Sequence, residues 1–141
     1  MPCLTKSFNV MPRDFIRAGG ASIKVQEVLK TIGFDEGVIR RASVCAYEAE
    51  MNIVMYGGDG NISLTAGPGK ITLDVTDDGP GIENIEMALV EGYSTSSEEY
   101  QEMGFGAGMG LPNIKRNSDS LEINSQKGKG THLKIGFKVK V

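Results

Sequence analysis

The sequence is poor in the residues that build disulfide frameworks and metal clusters. Its 141 residues include no tryptophan, two cysteines (Cys3 and Cys45) and a single histidine, His132. Two cysteines are too few for a network of disulfides, and one histidine leaves no zinc-type cluster of ligands. We therefore expect neither a disulfide framework nor a structural zinc site.

Long apolar runs and an excess of positive charge are also missing. No segment approaches the length of a membrane-spanning helix, and residues 1–15 lack the apolar segment of a signal peptide. The net charge of −3 argues against nonspecific nucleic-acid binding, which requires a dense basic surface. The sequence therefore predicts a cytoplasmic protein that binds neither membrane nor nucleic acid, and its length predicts one domain over residues 1–141.

Glycine, in contrast, is abundant. The chain has 19 glycines, about twice the usual share, and Gly104, Gly106, Gly108 and Gly110 alternate with other residues. Glycine lets main-chain amides approach a ligand closely, and the residues from Leu111 onward are typical of the first turns of a helix. A glycine-rich loop that enters a helix is typical of phosphate binding. A flexible surface loop explains this stretch equally well when it is taken alone.

Apolar residues at helical spacing predict two helices in the first part of the chain. The first is expected to begin at Asp14, as its N-cap, and to run to about Ile32. The second follows its own N-cap, Asp35, and runs to about Tyr56. The small residues on the buried stripe of the second helix require close packing on a neighbour. Cys45 belongs to that stripe and is interpreted as a core residue rather than a nucleophile.

The remaining segments alternate apolar and polar residues, as strands with one buried face do. We predict strands at residues 6–10, 62–66, 71–75, 121–123 and 133–141, a hairpin turn at 67–70 and a short helix at 84–91. A sheet that is apolar on one face needs helices on that face only. The predicted fold is α/β (α+β): a two-layer sandwich with a mixed, mostly antiparallel sheet and helices on one face.

Glu48 and Asn52 lie four residues apart on the second predicted helix. Their side chains therefore point the same way, at the rim of the buried stripe. The amide oxygen of Asn52 could ligate an Mg²⁺ ion bound to ATP, since such an ion takes only one or two protein oxygens. Glu48 could accept a proton from an attacking hydroxyl. Alternatively, Glu48 and Asn52 are simply polar residues on the solvent-exposed face of the helix and have no functional role.

Asp77 directly follows a predicted strand, and the alternation places it on the helix-facing side of the sheet. Burial of a carboxylate there costs free energy unless a hydrogen-bond donor pairs with it. The amino group of adenine is such a donor. The same alternation of side chains along the last strand places Thr131, at the start of that strand, on the helix-facing side of the sheet. Alternatively, Asp77 belongs to a turn and its side chain is exposed to solvent.

Other nucleotide motifs are absent from the sequence. The alternating glycines come after residue 100, whereas the dinucleotide fingerprint follows the first strand of a βαβ unit. The chain has no G-x-x-x-x-G-K-[ST] sequence, and it has neither the H-R-D nor the D-F-G sequence of ordinary protein kinases.

The order of four motifs resembles that of the Bergerat-fold (GHKL) ATPases. The motifs are Glu48-x-x-x-Asn52, Asp77-x-Gly79-x-Gly81, an ATP lid at about residues 92–112, and Gly128-x-Gly130-Thr131. Within that superfamily, the chain looks most like the small anti-sigma-factor and switch serine/threonine kinases of bacterial partner-switching modules. Residues 91–96, 106–112 and 115–116 look like the switch-kinase branch.

The resemblance implies a role for each matched residue. Glu48 is expected to be the general base, Asn52 the Mg²⁺ ligand, and Asp77 the adenine-binding residue, assisted by Thr131 through water. The expected nucleotide contacts also include Tyr56, Gly79, Gly81, Ile82, Gly104, Gly106, Gly108, Gly110, Leu111 and Lys115.

The resemblance also implies a function, that of an ATP- and Mg²⁺-dependent protein serine/threonine kinase. Its substrate would be a small antagonist protein whose phosphorylation switches partners; a sigma factor as a further partner and a homodimer are compatible with this function. The alternative is an ATP-binding anti-sigma factor or regulatory binding module with little or no kinase turnover. A free-standing histidine-kinase catalytic domain is less favoured, because the sequence leaves no room for dimerisation helices.

Two departures from the family pattern concern the lid. Residues 97–103 lengthen it, and no arginine comes just before its last glycines, where some anti-sigma kinases carry one for the γ-phosphate. Lys115 or Arg116 would have to substitute for that arginine.

Overall fold

The computed structural model describes residues 3–82, 84–90 and 110–139. The helices and strands, in chain order, are β1 (Leu4–Val10), α1 (Gly20–Ile32), α2 (Glu36–Tyr56), β2 (Gly60–Gly67), β3 (Lys70–Asp77), α3 (Ile85–Ala88), α4 (Gly110–Asn117), β4 (Ser120–Ser125) and β5 (Thr131–Lys138). Most of the predicted lid, including Gly104, Gly106 and Gly108, lies outside the described residues.

The five strands form one sheet in the order β1-β2-β3-β5-β4. Each neighbouring pair is antiparallel, so the expected parallel component of a mixed sheet does not occur among these strands. The predicted hairpin joins β2 to β3, and the register of β3 with β5 sets Asp77 opposite Thr131. The predicted two-layer α/β fold is confirmed.

The core lies between the sheet and the helices α1, α2 and α4. Alternate strand residues are buried on the side that faces the helices: Ile62, Leu64, Ala66, Ile71, Leu73, Val75, Leu133, Ile135 and Phe137. On α2 the facing side chains are small, and Ala42, Cys45, Ala46 and Ala49 are fully buried. Burial raises the pKa of the Cys45 thiol to about 12. Cys45 is therefore a core residue, as predicted, because its thiolate is not accessible at neutral pH.

The beginning of α1 differs from the prediction. The helix starts at Gly20 rather than after Asp14. The Asp14 side chain caps only a turn, because its Oδ1 accepts the Arg17 amide at 3.2 Å. Residue Gly19, at the true N-cap, has a positive φ of 94° and provides no side-chain cap.

The capping group of α1 comes from the neighbouring helix instead. Glu50 of α2 is 2% exposed, and its two carboxylate oxygens accept the backbone amides of Ala21 (3.1 Å) and Ser22 (3.0 Å). A carboxylate stabilises the positive end of a helix dipole and satisfies amides that have no partner within the helix. Glu50 thus fixes where α1 begins and ties it to α2.

Asp35 caps α2 as predicted, with its side chain accepting the amide of Gly37.

Within the described ranges, no helix combines the length and the apolar composition that crossing a bilayer requires.

Candidate functional site

Asp77 ends β3 and points toward the end of α2. Its Oδ1 accepts the backbone amides of Gly58 (3.2 Å) and Gly79 (2.9 Å). Glycine is required at position 79, because a Cβ there would collide with the Gly58 nitrogen and lie 2.8 Å from Asp77 Oδ1. In the described part of the chain no hydrogen bond to Oδ2 is found. One carboxylate oxygen is therefore fixed, and the other is available as an acceptor.

Thr131 lies opposite Asp77, and Ser125 sets the direction of its hydroxyl. Ser125 Oγ donates to the Gly130 carbonyl at 2.9 Å and accepts the Ile82 amide at 2.7 Å. Because the Ser125 proton is already donated, Thr131 must donate in the 2.9 Å contact between the two hydroxyls. The Thr131 oxygen then keeps lone pairs that can accept a hydrogen bond beside Asp77.

Gly81 and Gly130 allow the two loops beneath Asp77 to approach each other. Both have a positive φ, of 80° and 81°. A Cβ on Gly81 would meet the Gln126 carbonyl, and a Cβ on Gly130 would meet the Asp77 carbonyl. The second and fourth sequence motifs therefore pack against each other at the end of β3, next to Asp77.

Glu48 and Asn52 form a second cluster with the first residue of α4. Both side chains are half-buried. A Cβ on Gly110 would lie 3.0 Å from Asn52 Oδ1 and 3.4 Å from Glu48 Oε2. The glycine therefore leaves open space in front of both polar groups, at a helix N-terminus whose first amides lack intrahelical acceptors.

Burial raises the pKa of the Glu48 carboxyl above its ordinary value, and a side-chain hydrogen bond from Asn113 opposes part of that rise. A carboxylate with a raised pKa is a stronger base at neutral pH than an exposed one. Asn113 lies on α4, three residues after Gly110. Local sequence patterns do not single out Asn113, because its interaction with Glu48 depends on how α4 packs on α2.

The remaining predicted residues have mixed environments. Tyr56 is the half-buried last residue of α2, and Ile82 packs partly against the core. Leu111 belongs to the core and anchors the first turn of α4. Lys115 is exposed in the last turn of α4.

Ser125 was not predicted as a site residue, because a serine at the end of a strand carries no sequence signal.

A groove of about 850 Å³ lies between α1 and α2, and Glu48 contributes to its wall. Its lining combines apolar side chains with charged ones: Gln26, Lys30, Phe34, Glu36, Ile39, Arg40, Ser43, Val44, Tyr47 and Glu48. Glu48 can therefore be reached from the groove as well as from the side of Gly110.

Solved structures with the same fold include two of bacterial proteins. One contains the RsbU and RsbW domains of Rv1364c from Mycobacterium tuberculosis (TM-score 0.60, 16% identity, 99% of this chain and 33% of that chain). The other is the SiaB–SiaC complex from Pseudomonas aeruginosa (TM-score 0.64, 14% identity, 94% of this chain and 88% of that chain). At these identities the likeness concerns the fold alone.

Sequence comparison gives closer relatives. Serine/threonine-protein kinase RsbT of Bacillus subtilis (strain 168) is 35% identical over 112 residues, which cover 77% of this chain and 78% of the relative. Anti-sigma F factor of Thermoanaerobacter sp. (strain X514) is 34% identical over 93 residues, or 62% of each protein. Residues 37–141 match the family model described as histidine kinase-, DNA gyrase B-, and HSP90-like ATPase. The chain therefore belongs to this ATPase family, and the resemblance to partner-switching kinases and anti-sigma factors is confirmed.

Proposed function

We propose that this protein is an ATP-dependent serine/threonine protein kinase of a partner-switching module. Its substrate is a hydroxyl on a small antagonist protein, whose phosphorylation changes the partners of the module. The observation that carries the proposal is the half-buried Glu48 carboxylate, with its raised pKa, beside Asn52 and the N-terminus of α4. A kinase is among the relatives most similar to this chain.

The cluster around Asp77 suits adenine. The free oxygen of Asp77 and the Thr131 hydroxyl both offer acceptors, so together they match an amino group bound directly or through water. Guanine has a carbonyl where adenine has its amino group, and acceptors would repel it. A charge-assisted hydrogen bond of about 1.5–3 kcal/mol corresponds to roughly ten- to hundred-fold in affinity.

Helix α2 connects this base site to the Glu48 cluster. From Glu48 to Gly57, which adjoins Asp77, the helix advances about 14 Å at 1.5 Å per residue. A nucleoside triphosphate that lies along α2 would therefore have its base at Asp77 and its phosphates near Gly110. In this arrangement Gly79, Gly81, Ile82 and Tyr56 line the base end of the site.

The phosphates would be held by the alternating glycines. Gly104, Gly106, Gly108 and Gly110 would donate main-chain amides, with Leu111 anchoring the lid in the core and Lys115 adding positive charge. The lid, over about residues 92–112, would exclude water from the site when it closes. We assign these residues, with the rest of the chain, to a single ATP-binding domain over residues 1–141.

Mg²⁺ fits the Asn52 amide oxygen. Within the described residues no group of three or more histidine, cysteine or acidic side chains could hold a metal ion alone. Mg²⁺ in nucleotide sites is commonly held by one or two protein oxygens together with phosphates and water, and Asn52 Oδ1 borders the open space at Gly110. When bound, the ion neutralises charge on the phosphates.

Glu48 would act on the acceptor protein. One of its oxygens takes the proton of the acceptor hydroxyl as that hydroxyl bonds to the γ-phosphoryl group, and ADP leaves. The proton is then released from Glu48 to solvent. Most of the rate enhancement in such a transfer comes from positioning and charge stabilisation.

The groove between α1 and α2 gives the acceptor a route to Glu48. Its lining combines apolar side chains with the exposed cations Lys30 and Arg40 and with the carboxylates of Glu36 and Glu48. It suits a segment with apolar side chains whose acidic groups would meet Lys30 and Arg40 rather than Glu36. We place the reaction in the cytoplasm, and a homodimer is compatible with it.

A second function follows from the similarity to anti-sigma F factors. The protein would then bind ATP to order its lid and would hold a regulator, such as a sigma factor, without turnover. Ligand at about 100 times its dissociation constant stabilises a fold by roughly 2.7 kcal/mol, so thermal shift with ATP does not distinguish the two functions.

Phosphate transfer distinguishes them. Partners are captured from native lysate with ATP or with ADP, purified, and incubated with labelled ATP, Mg²⁺ and either the wild-type protein or Glu48→Gln. The kinase proposal expects label on a serine or threonine of one partner with the wild type and loss of transfer in the variant. Nucleotide-dependent capture without transfer would support the second function and reject the first.

A further inference from the structure

Arg13 binds the last turns of α2 from the segment between β1 and α1. Its backbone amide donates to the Val54 carbonyl at 2.8 Å, and its guanidinium Nη1 donates to the same carbonyl at 2.9 Å. With a φ of 63°, Arg13 is the one described residue other than glycine that has a positive φ, which is uncommon for such residues. The backbone thus adopts an unfavourable conformation at the residue that brings two donors to one helix carbonyl.

The Val54 carbonyl is the acceptor that Gly58 would use if α2 continued. In an α-helix each amide donates to the carbonyl four residues earlier, as the Gly57 amide does to the Ile53 carbonyl at 2.9 Å. The next amide, that of Gly58, donates instead to Asp77 Oδ1 at 3.2 Å. The end of α2 therefore gives up one helical hydrogen bond, and the amide released from the helix holds Asp77.

Arg13 stabilises this exchange of partners. A carbonyl oxygen has two lone pairs, and the two donors of Arg13 occupy both of them on Val54. Because Val54 is 1% exposed, its carbonyl would lose a partner that water does not readily replace, and an unsatisfied buried acceptor is costly. Without the guanidinium, the Gly58 amide would be free to return to Val54, extend α2 by one hydrogen bond and leave Asp77.

We propose that Arg13 is a positioning residue for the base site: by occupying the Val54 carbonyl it keeps the Gly58 amide on Asp77 Oδ1, so that Oδ2 stays directed at the adenine amino group. The inference rests on the proposed function, because it takes Asp77 as the adenine acceptor. It adds a residue that lies outside the four sequence motifs and outside residues 37–141, which the family model matches.

The first test follows the Gly58 amide by NMR in the absence of ligand. In the wild type, the amide proton shifts of Gly58 and Gly79 should both respond to titration of Asp77, because both amides donate to its Oδ1. Arg13→Gly removes the guanidinium and keeps the backbone amide, and glycine adopts a positive φ freely. In this variant the response of Gly58 should fall by at least about half, while that of Gly79 persists. An unchanged response of Gly58 would overturn the inference.

The second test compares ATP with purine riboside 5′-triphosphate, which lacks the amino group of adenine. By calorimetry, the wild type should bind ATP roughly ten- to hundred-fold more tightly than the analogue. Arg13→Gly should bind ATP about three- to tenfold more weakly than the wild type and should bind the analogue with unchanged affinity. Equal weakening of both nucleotides would indicate a general loosening of the fold and would reject a positioning role.

Two further variants test whether the guanidinium acts as a donor. Arg13→Lys restores a donor and should recover the affinity for ATP; a loss equal to that of Arg13→Gly would contradict donation to Val54. Arg17→Gly is the matched control, because the Arg17 side chain is 86% exposed and pairs with Asp14 in the same turn. It should bind both nucleotides with the affinity of the wild type.

The two levels of proposal fail differently. If Asp77→Asn weakens ATP binding while Arg13→Gly binds ATP with the affinity of the wild type, the positioning role is wrong and the base site stands. If the wild type binds ATP and the analogue equally, Asp77 is not the adenine acceptor, and both assignments are wrong.

Discussion

Asp77 and Thr131 face each other across the antiparallel pair of β3 and β5, and each leaves a hydrogen-bond acceptor toward the helix layer. Two backbone amides fix one oxygen of Asp77, while Ser125 uses the proton of Thr131. Within the described part of the chain these two side chains present acceptors and no donor, so under the proposed adenine role they would accept an amino group and disfavour a carbonyl at the same position.

Asp77→Asn should weaken ATP binding roughly ten- to hundred-fold. The asparagine oxygen can still accept the amides of Gly58 and Gly79, but its nitrogen then points a donor at the adenine amino group. Isothermal titration calorimetry with ATP measures the loss. Asp78→Asn is the control, because Asp78 is the next residue and its side chain is exposed. This variant should bind ATP with the affinity of the wild type. Equal affinities for the wild type and Asp77→Asn would contradict the base assignment.

The rate of phosphate transfer should rise with pH through the titration of Glu48. Burial raises the pKa of this carboxyl from its ordinary value of 4.5, so the acidic limb of kcat should have its midpoint above that value. Asn113 stabilises the ionised form and lowers the pKa, and Asn113→Leu should therefore move the midpoint to higher pH. A pH–rate profile at saturating ATP and acceptor checks both statements. An acidic limb at or below 4.5 would contradict them.

Glu50→Ala should destabilise the fold by about 3 kcal/mol, because it leaves two buried amides of α1 without an acceptor. Urea unfolding should show a lower midpoint with an unchanged slope. Glu27→Ala removes a carboxylate from the exposed face of α1 and should change the free energy of unfolding by less than about 0.5 kcal/mol. Matching losses in the two variants would show that the capping contact contributes nothing specific.

Arg40→Glu should raise the KM for the acceptor protein about tenfold, equivalent to about 1.4 kcal/mol, if the acceptor lies in the groove between α1 and α2. The change reverses a charge on the groove wall without touching Glu48, so kcat and ATP affinity should stay the same. Lys24→Glu makes the same reversal on α1, at an exposed residue that does not line the groove. Steady-state kinetics at varied acceptor concentration measures KM for the two variants. An unchanged KM for Arg40→Glu would show that the acceptor docks elsewhere.

Much of the site follows from local rules. The two-residue period of β3 places Asp77 on the helix-facing side, and the same period in β5 places Thr131 there as well. The i, i+4 spacing of Glu48 and Asn52 brings both side chains to one side of α2. These positions were predictable because side-chain direction within a helix or strand depends on the local backbone.

Other features required the tertiary structure, because their partners are distant in the sequence. The start of α1 is set by Glu50, about 30 residues away, so the local signal at Asp14 pointed to the wrong N-terminus. Ser125 matters because the register of β4 with β5 pairs it with Thr131. Asn113 matters because α4 packs on α2.

The sequence by itself determined the order of the elements, the face on which each motif lies and the family to which the chain belongs. The tertiary structure decided which hydrogen-bonding groups are already satisfied and which remain free for a ligand, as at Asp77 and Thr131. The physical reason is that periodicity fixes direction within one element, whereas hydrogen-bond satisfaction depends on contacts between elements.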